Sequence, residues 1–166
     1  MLWPDSATGA TIRQLWTLLS DHGLPSMATH THRLHRPHVS LIVAADLPAV
    51  EVLTALGPLP SEPIPLRIEA AGVFPEGFLF LVCVANVALV AEQRRVHEAT
   101  EKLAVEPWPY FQPGTWTPHI TTGWALNNEQ LFASLPFVLE ALPIHGWLDQ
   151  GGVEDGTTGE KWCAPV

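Results

Sequence analysis

The segments Pro37-His38-Val39-Ser40 and Pro118-His119-Ile120-Thr121 share one form: proline, histidine, a β-branched aliphatic residue and a hydroxyl residue. Read as strands, each places residues i and i+2 on one face. His38 then stands with Ser40 and His119 with Thr121, while Val39 and Ile120 turn to the core. Positions i and i+2 lie roughly 6 to 7 Å apart along a strand, so an imidazole and a hydroxyl can touch the same phosphoryl group. A chain carrying the pattern twice is predicted to bring its copies face to face, each supplying half of a phosphate clamp. One neutral histidine would take a proton from water and one protonated histidine would give a proton to the leaving oxygen. An ordinary pKa of about 6.5 suits both tasks near neutrality.

The rest of the chain supports such a fold. Ile12, Leu15, Trp16 and Leu19 have helical spacing within Thr8–His22, and Gly23 and Pro25 supply the stop. A strand over Pro37–Ala44 is followed by a helix over Pro48–Leu56, with Asp46 as its cap. Ile64–Phe74 and Phe78–Asn86 read as a hairpin joined across Pro75-Glu76-Gly77. Val87–Val105 reads as a second long helix that ends before Pro107. A strand over His119–Leu126, a helix from Asn127 to Leu139, and a closing hairpin of Ile144–Gln150 with Glu160–Ala164 complete the plan. Strand, helix, strand, strand thus occurs twice, which predicts two αβ lobes with antiparallel sheet between them and helices outside.

Composition narrows the function classes. With 166 residues, 47% hydrophobic and 15% charged, the chain is expected to form one domain over 1–166. A net charge of −9 argues against tight nonspecific binding of long nucleic acid, which needs many Lys and Arg contacts, and leaves small or end-bound substrates. The longest apolar stretch, Phe78–Ala91, is short for a membrane span and is broken by Asn86. Met1-Leu2-Trp3-Pro4-Asp5 lacks the basic start and apolar block of a secretory signal, so a cytoplasmic location is expected. Cys83 and Cys163 are expected as free thiols, with Cys83 buried as a small hydrophobe.

The paired motifs resemble those of the two-histidine (2H) phosphoesterase superfamily, in particular its 2'-5' RNA ligase-like, or RNA 2',3'-cyclic phosphodiesterase, branch. That signature is a histidine, any residue, then Thr or Ser, occurring twice. Here it reads His38-Val39-Ser40-Leu41 and His119-Ile120-Thr121-Thr122, and Pro113-Gly114-Thr115-Trp116-Thr117-Pro118 looks like the branch's lead-in. The resemblance runs from Pro37 to Trp162. It implies a bilobal, pseudo-twofold α+β fold with both histidines in a central cleft, and catalysis without metal or cofactor. It further implies His38 as general acid, His119 as general base, and Ser40 and Thr121 as phosphate ligands. The substrates implied are RNA 3' ends or small cyclic nucleotides, with no membrane and no stable protein partner. Ser40 departs mildly from the commoner threonine, and Thr122-Gly123 stands where an apolar residue usually follows. Tyr110, Phe111 and Trp116, in the loop before the second motif, are candidate base platforms, and Arg36 is a candidate substrate contact.

Other polar residues receive plainer readings. His30, His32 and His35 have metal-like spacing, but no acidic or cysteine ligand stands near them in sequence, so they read as a polar loop in which Arg33 and Arg36 attract phosphate. Arg94 and Arg95, with Glu92, Glu98 and Glu101, read as a solvated helix face. His97 and His145 lack a hydroxyl partner at the motif spacing and receive no site role. The competing functions are a reader of RNA ends or nucleotides without turnover, and reversible 2'-5' RNA ligation.

Overall fold

A computed structural model describes residues 1–165. The elements are β1 (Leu2–Pro4), α1 (Ser6–Asp21), β2 (Ala44–Asp46), α2 (Ala49–Leu56), β3 (Ile64–Phe74), β4 (Phe78–Cys83), α3 (Val87–Thr100), β5 (Val105–Pro107), β6 (His119–Gly123), α4 (Asn128–Glu140), β7 (Ile144–Glu154) and β8 (Lys161–Cys163). The strand order is β1-β7-β3-β4-β6, with β8 also on β7, and β2 pairs with β5 in a separate ribbon. Every pairing is antiparallel. The α+β class expected from the sequence is therefore the one observed.

Helices pack as two couples, α1 with α4 and α2 with α3. The predicted apolar stripe of α1, Ile12, Leu15, Trp16 and Leu19, is buried and joins Leu66, Ile68, Leu79, Leu81 and Ile120 from the strands in one core. Strand alternation sets which side chains enter that core: Ile64, Leu66 and Ile68 are buried, whereas Pro65, Arg67 and Glu69 between them are exposed. No helix among the described residues is long and apolar enough to cross a membrane. Cys83 and Cys163 are both free, and burial pushes the Cys83 thiol up to about 12.

Several boundaries differ from the sequence expectation for identifiable reasons. Asp5 starts α1 early: its Oδ1 accepts from the backbone N–H groups of Ala7 and Thr8 at 3.1 and 3.0 Å, and its Oδ2 accepts from Trp147 N–H at 2.8 Å. Asp46 does not cap α2; it ends β2 opposite Val105, and α2 begins after Pro48 without a side-chain cap. The same pairing shortens α3, since Val105–Pro107 leaves the helix to form β5. Asn86 ends the hairpin strand early because its Oδ1 caps α3 by accepting from Leu89 N–H at 2.9 Å. Asn127 caps α4 as expected, in a reciprocal box with Gln130. The β3–β4 hairpin turns through Glu76 and Gly77 at φ 68° and 78°, and at Gly77 a Cβ would run into the backbone of Leu126, so only glycine fits.

The first motif departs most from its predicted strand. Of the predicted Pro37–Ala44 strand only Ala44 enters a ladder, as the start of β2; the rest forms an isolated bridge, in which Val39 and Leu2 exchange backbone hydrogen bonds of 2.8 and 2.9 Å. Pro37 has no N–H to extend the ladder, and β1 offers only three residues. Burial nonetheless alternates from Pro37 to Leu41, with His38 and Ser40 half-buried between buried neighbours. Side-chain facing thus survives without a full strand.

Candidate active site

The two histidines are held in the same way. Nδ1 of His38 lies 2.7 Å from the carbonyl oxygen of Arg36, and Nδ1 of His119 lies 2.7 Å from that of Thr117. In both cases the acceptor belongs to the residue two positions earlier. A carbonyl can only accept, so each Nδ1 carries a proton and the neutral ring keeps its lone pair on Nε2. No described residue bonds to either Nε2. Each ring is thereby fixed in orientation and tautomer by its own chain, with one nitrogen left for chemistry.

Around His119 the support is aromatic. Phe74 and Phe80 meet its ring edge-on, with centroids 4.9 and 5.2 Å away. Phe80 pairs with Thr121, and Val82 with His119, across β4 and β6. Gly72 lies under Phe80, where a Cβ would strike the ring, so glycine there lets Phe80 seat beside His119. Burial holds the His119 pKa below its ordinary value, partly offset by the Thr117 carbonyl. For His38 burial is the stronger influence, lowering the pKa to about 4 against the Arg36 carbonyl and the negative Glu154. Both shifts favour the neutral ring in the free protein.

The two motifs are tied together through the second motif's approach. The Trp116 indole N–H donates to the Ser40 carbonyl at 2.9 Å, so the loop that delivers His119 is bonded to the segment that carries His38. Gln93, buried in α3, adds a second tie: its amide donates to the carbonyls of Leu41 at 3.3 Å and Phe111 at 2.7 Å. Both amide protons are thus used on carbonyls flanking the two motifs. Gln93→Leu is expected to lower stability by about 2 to 3 kcal/mol, because two interior carbonyls lose their donor. Urea unfolding checks this, and a loss below about 0.5 kcal/mol would show that water replaces the amide.

The hydroxyls of Ser40 and Thr121 make no hydrogen bond to another described residue, and both residues are half-buried. They are available to an outside ligand. Thr122 is different: it is buried, and its Oγ1 donates to the Leu79 carbonyl at 3.0 Å. A polar residue is tolerated at this inward position because that bond satisfies it.

The family model of the 2'-5' RNA ligase superfamily matches residues 3–150. The chain belongs to that superfamily. It is thereby a member of the 2H phosphoesterase superfamily, a family generally of phosphodiesterases and ligases whose members act on RNA and nucleotide substrates. No individual curated protein matches the chain. The match begins at Trp3, well before the first motif, and so takes in α1 as well as the motif-bearing segments.

The remaining candidates from the sequence are distributed unevenly over this 2H phosphoesterase. Trp116 is half-buried against the core with its N–H committed to Ser40, which makes it a brace. Phe111 contributes a carbonyl to Gln93, while Tyr110 is 77% exposed in a 3-10 turn and has a ring face to offer. Arg36 lays its guanidinium over the Trp3 ring, 4.5 Å from the centroid.

Two plain readings require correction. Glu92 is buried and Arg95 bonds to it at 2.7 Å, while Arg95 also donates to the carbonyls of Leu56 and Pro58. The pair staples α3 to the end of α2 and is not a solvated helix face. The histidine loop 30–35 does have an acidic neighbour: Glu154, at the end of β7, brings its carboxylate to His32 and His35. Sequence separation of more than a hundred residues concealed that contact. Gln93, Phe74 and Phe80 were also missed, since nothing marks them apart from ordinary helix and strand residues.

Proposed function

We propose that this 2H phosphoesterase hydrolyses 2',3'-cyclic phosphate ends of RNA, or related cyclic nucleotide phosphodiesters, by acid/base catalysis from His38 and His119. The observation that carries the reading is the matched anchoring of the two rings, each with its Nδ1 proton on a carbonyl two residues back at 2.7 Å and its Nε2 unbonded. One Nε2 takes a proton from the attacking water while the other delivers a proton to the leaving ribose oxygen. Resemblance to the family assigns delivery to His38 and abstraction to His119. The Ser40 and Thr121 hydroxyls donate to the nonbridging oxygens. These imidazoles can complete the proton transfers without assistance from a metal.

Burial leaves both rings neutral before substrate arrives, yet the reaction needs one of them protonated. The phosphodiester supplies the missing influence, because an anion beside an imidazole favours its charged form. His38, the more strongly shifted ring, depends most on the substrate's charge. The acid is thus armed by the substrate.

The test is turnover of nucleoside 2',3'-cyclic phosphates by EDTA-treated protein across pH 5 to 9. Profiles of kcat/KM report the free enzyme and those of kcat report the complex. The kcat/KM optimum is therefore expected below pH 6.5, with the kcat optimum displaced upward. Pure protein that binds these nucleotides without hydrolysing them would replace the reading with that of an RNA-end reader.

A further inference from the structure

We infer that His32, His35 and Glu154 form a binding site for a zinc-type divalent cation that pins the histidine loop to the end of β7. One donor atom from each residue lies within 4.8 Å of the other two. The Glu154 side chain is only 2% exposed and that of His35 8%, with Nδ1 of His35 3.5 Å from a Glu154 oxygen. Two atoms in this cluster are buried without a hydrogen bond: Nε2 of His32, and Oε2 of Glu154, which faces the Lys161 ammonium at 3.4 Å. Leaving an atom such as His32 Nε2 unbonded in the interior costs about 1 to 3 kcal/mol, so it marks a place where a ligand is gained at little expense.

The donor types select the cation. Two imidazoles and a carboxylate suit zinc, with bonds of about 2.0 to 2.2 Å and a fourth position left open, whereas magnesium and calcium prefer all-oxygen shells. Tetrahedral geometry sets neighbouring donors about 3.3 Å apart, so the widest pair draws in by up to about 1.5 Å. Loop 30–35 can make that movement, because it contains Thr31 and Arg33 at positive φ and no helix or strand. His32 is already seated close over Gly159, where a Cβ would meet its ring.

Two neighbours weaken the site. His32 Nδ1 accepts the Leu34 N–H at 3.0 Å, and ligation through Nε2 would put the ring proton on Nδ1, so that bond is exchanged for the metal bond. Lys161 sets its ammonium 3.4 Å from Glu154, although its hydrogen bonds go to the carbonyls of Leu34 and Gly159. Binding is therefore weaker than at a closed four-ligand zinc site. The ion's role is structural: it holds the segment leading into Pro37 and His38, and turnover persists when it is removed.

Calorimetric titration of the full chain with Zn2+, and absorption titration with Co2+, test the site. One ion is expected per chain, with none for Mg2+, and Zn2+ should raise Tm. His32→Ala and Glu154→Gln are each expected to weaken binding by roughly tenfold or more, while His145→Ala leaves it unchanged. Should Glu154→Gln fail to fold, wild-type imidazole NMR signals decide: Zn2+ must shift those of His32 and His35 and leave those of His97 and His145. Absence of saturable one-to-one uptake, or uptake undiminished in His32→Ala, would overturn the inference.

Discussion

Alanine at either His38 or His119 is expected to lower kcat/KM for a nucleoside 2',3'-cyclic phosphate by roughly 10²- to 10⁴-fold, the usual contribution of one positioned acid or base. The two losses should be of similar size, because the rings are anchored alike and the proposed reaction needs one proton taken and one given. The double variant should fall little further than either single one, since the pair acts as a unit. Folding should survive, because each ring is only half-buried and its anchoring carbonyl turns to water when the ring is gone. Steady-state kinetics alongside thermal unfolding separate the effects. A variant that keeps its Tm and also keeps turnover within about threefold would remove that histidine from the chemistry.

The legible part of this molecule was the part written in local periodicity. The α1 stripe, the β3–β4 hairpin and the Asn127 cap all depend on residues a few positions apart and are found in the structure, whereas of the twin motifs the second lies on β6 and the first makes only an isolated bridge. Long-range partners were not legible. Val39 finds Leu2 across a single bridge, Ser40 receives Trp116, and Asp5 receives the N–H of Trp147. None of these follows from hydropathy, since pairing depends on the finished sheet order. Glu92 and Gln93 show the same limit: a period-3.6 reading puts charged and amide residues outside, yet both are buried because Arg95 and two carbonyls satisfy them.

Mild acid should unfold this protein more readily, and His38, together with the buried Met1 amine, should contribute to the effect. In the unfolded chain its imidazole takes up a proton near pH 6.5, whereas in the folded chain burial delays uptake until about pH 4. Above pH 6.5 both states are neutral and the ring is silent. As pH falls below 6.5 the unfolded state alone gains protons, so stability declines until the folded ring also titrates, near pH 4. The full shift corresponds to about 3 kcal/mol, and solvent screening of a half-buried ring reduces that to about 2 kcal/mol. His119, His30 and His32 are lowered as well, chiefly by burial, and add in the same direction. Burial also lowers the Met1 amine, from 8.0 to about 5, so it contributes over the same range. The His38 share is read from the difference between wild type and His38→Asn in urea midpoints between pH 7.5 and 5, above most carboxylate titration. His38→Asn, which cannot take up a proton, should make the curve shallower; a variant curve parallel to wild type would place the acid sensitivity elsewhere. Phosphate-bearing product should protect more at pH 5.5 than at pH 7.5, because an anion between the rings raises the pKa values that burial lowers. That differential protection would tie the acid sensitivity to the same two rings that the proposed reaction uses.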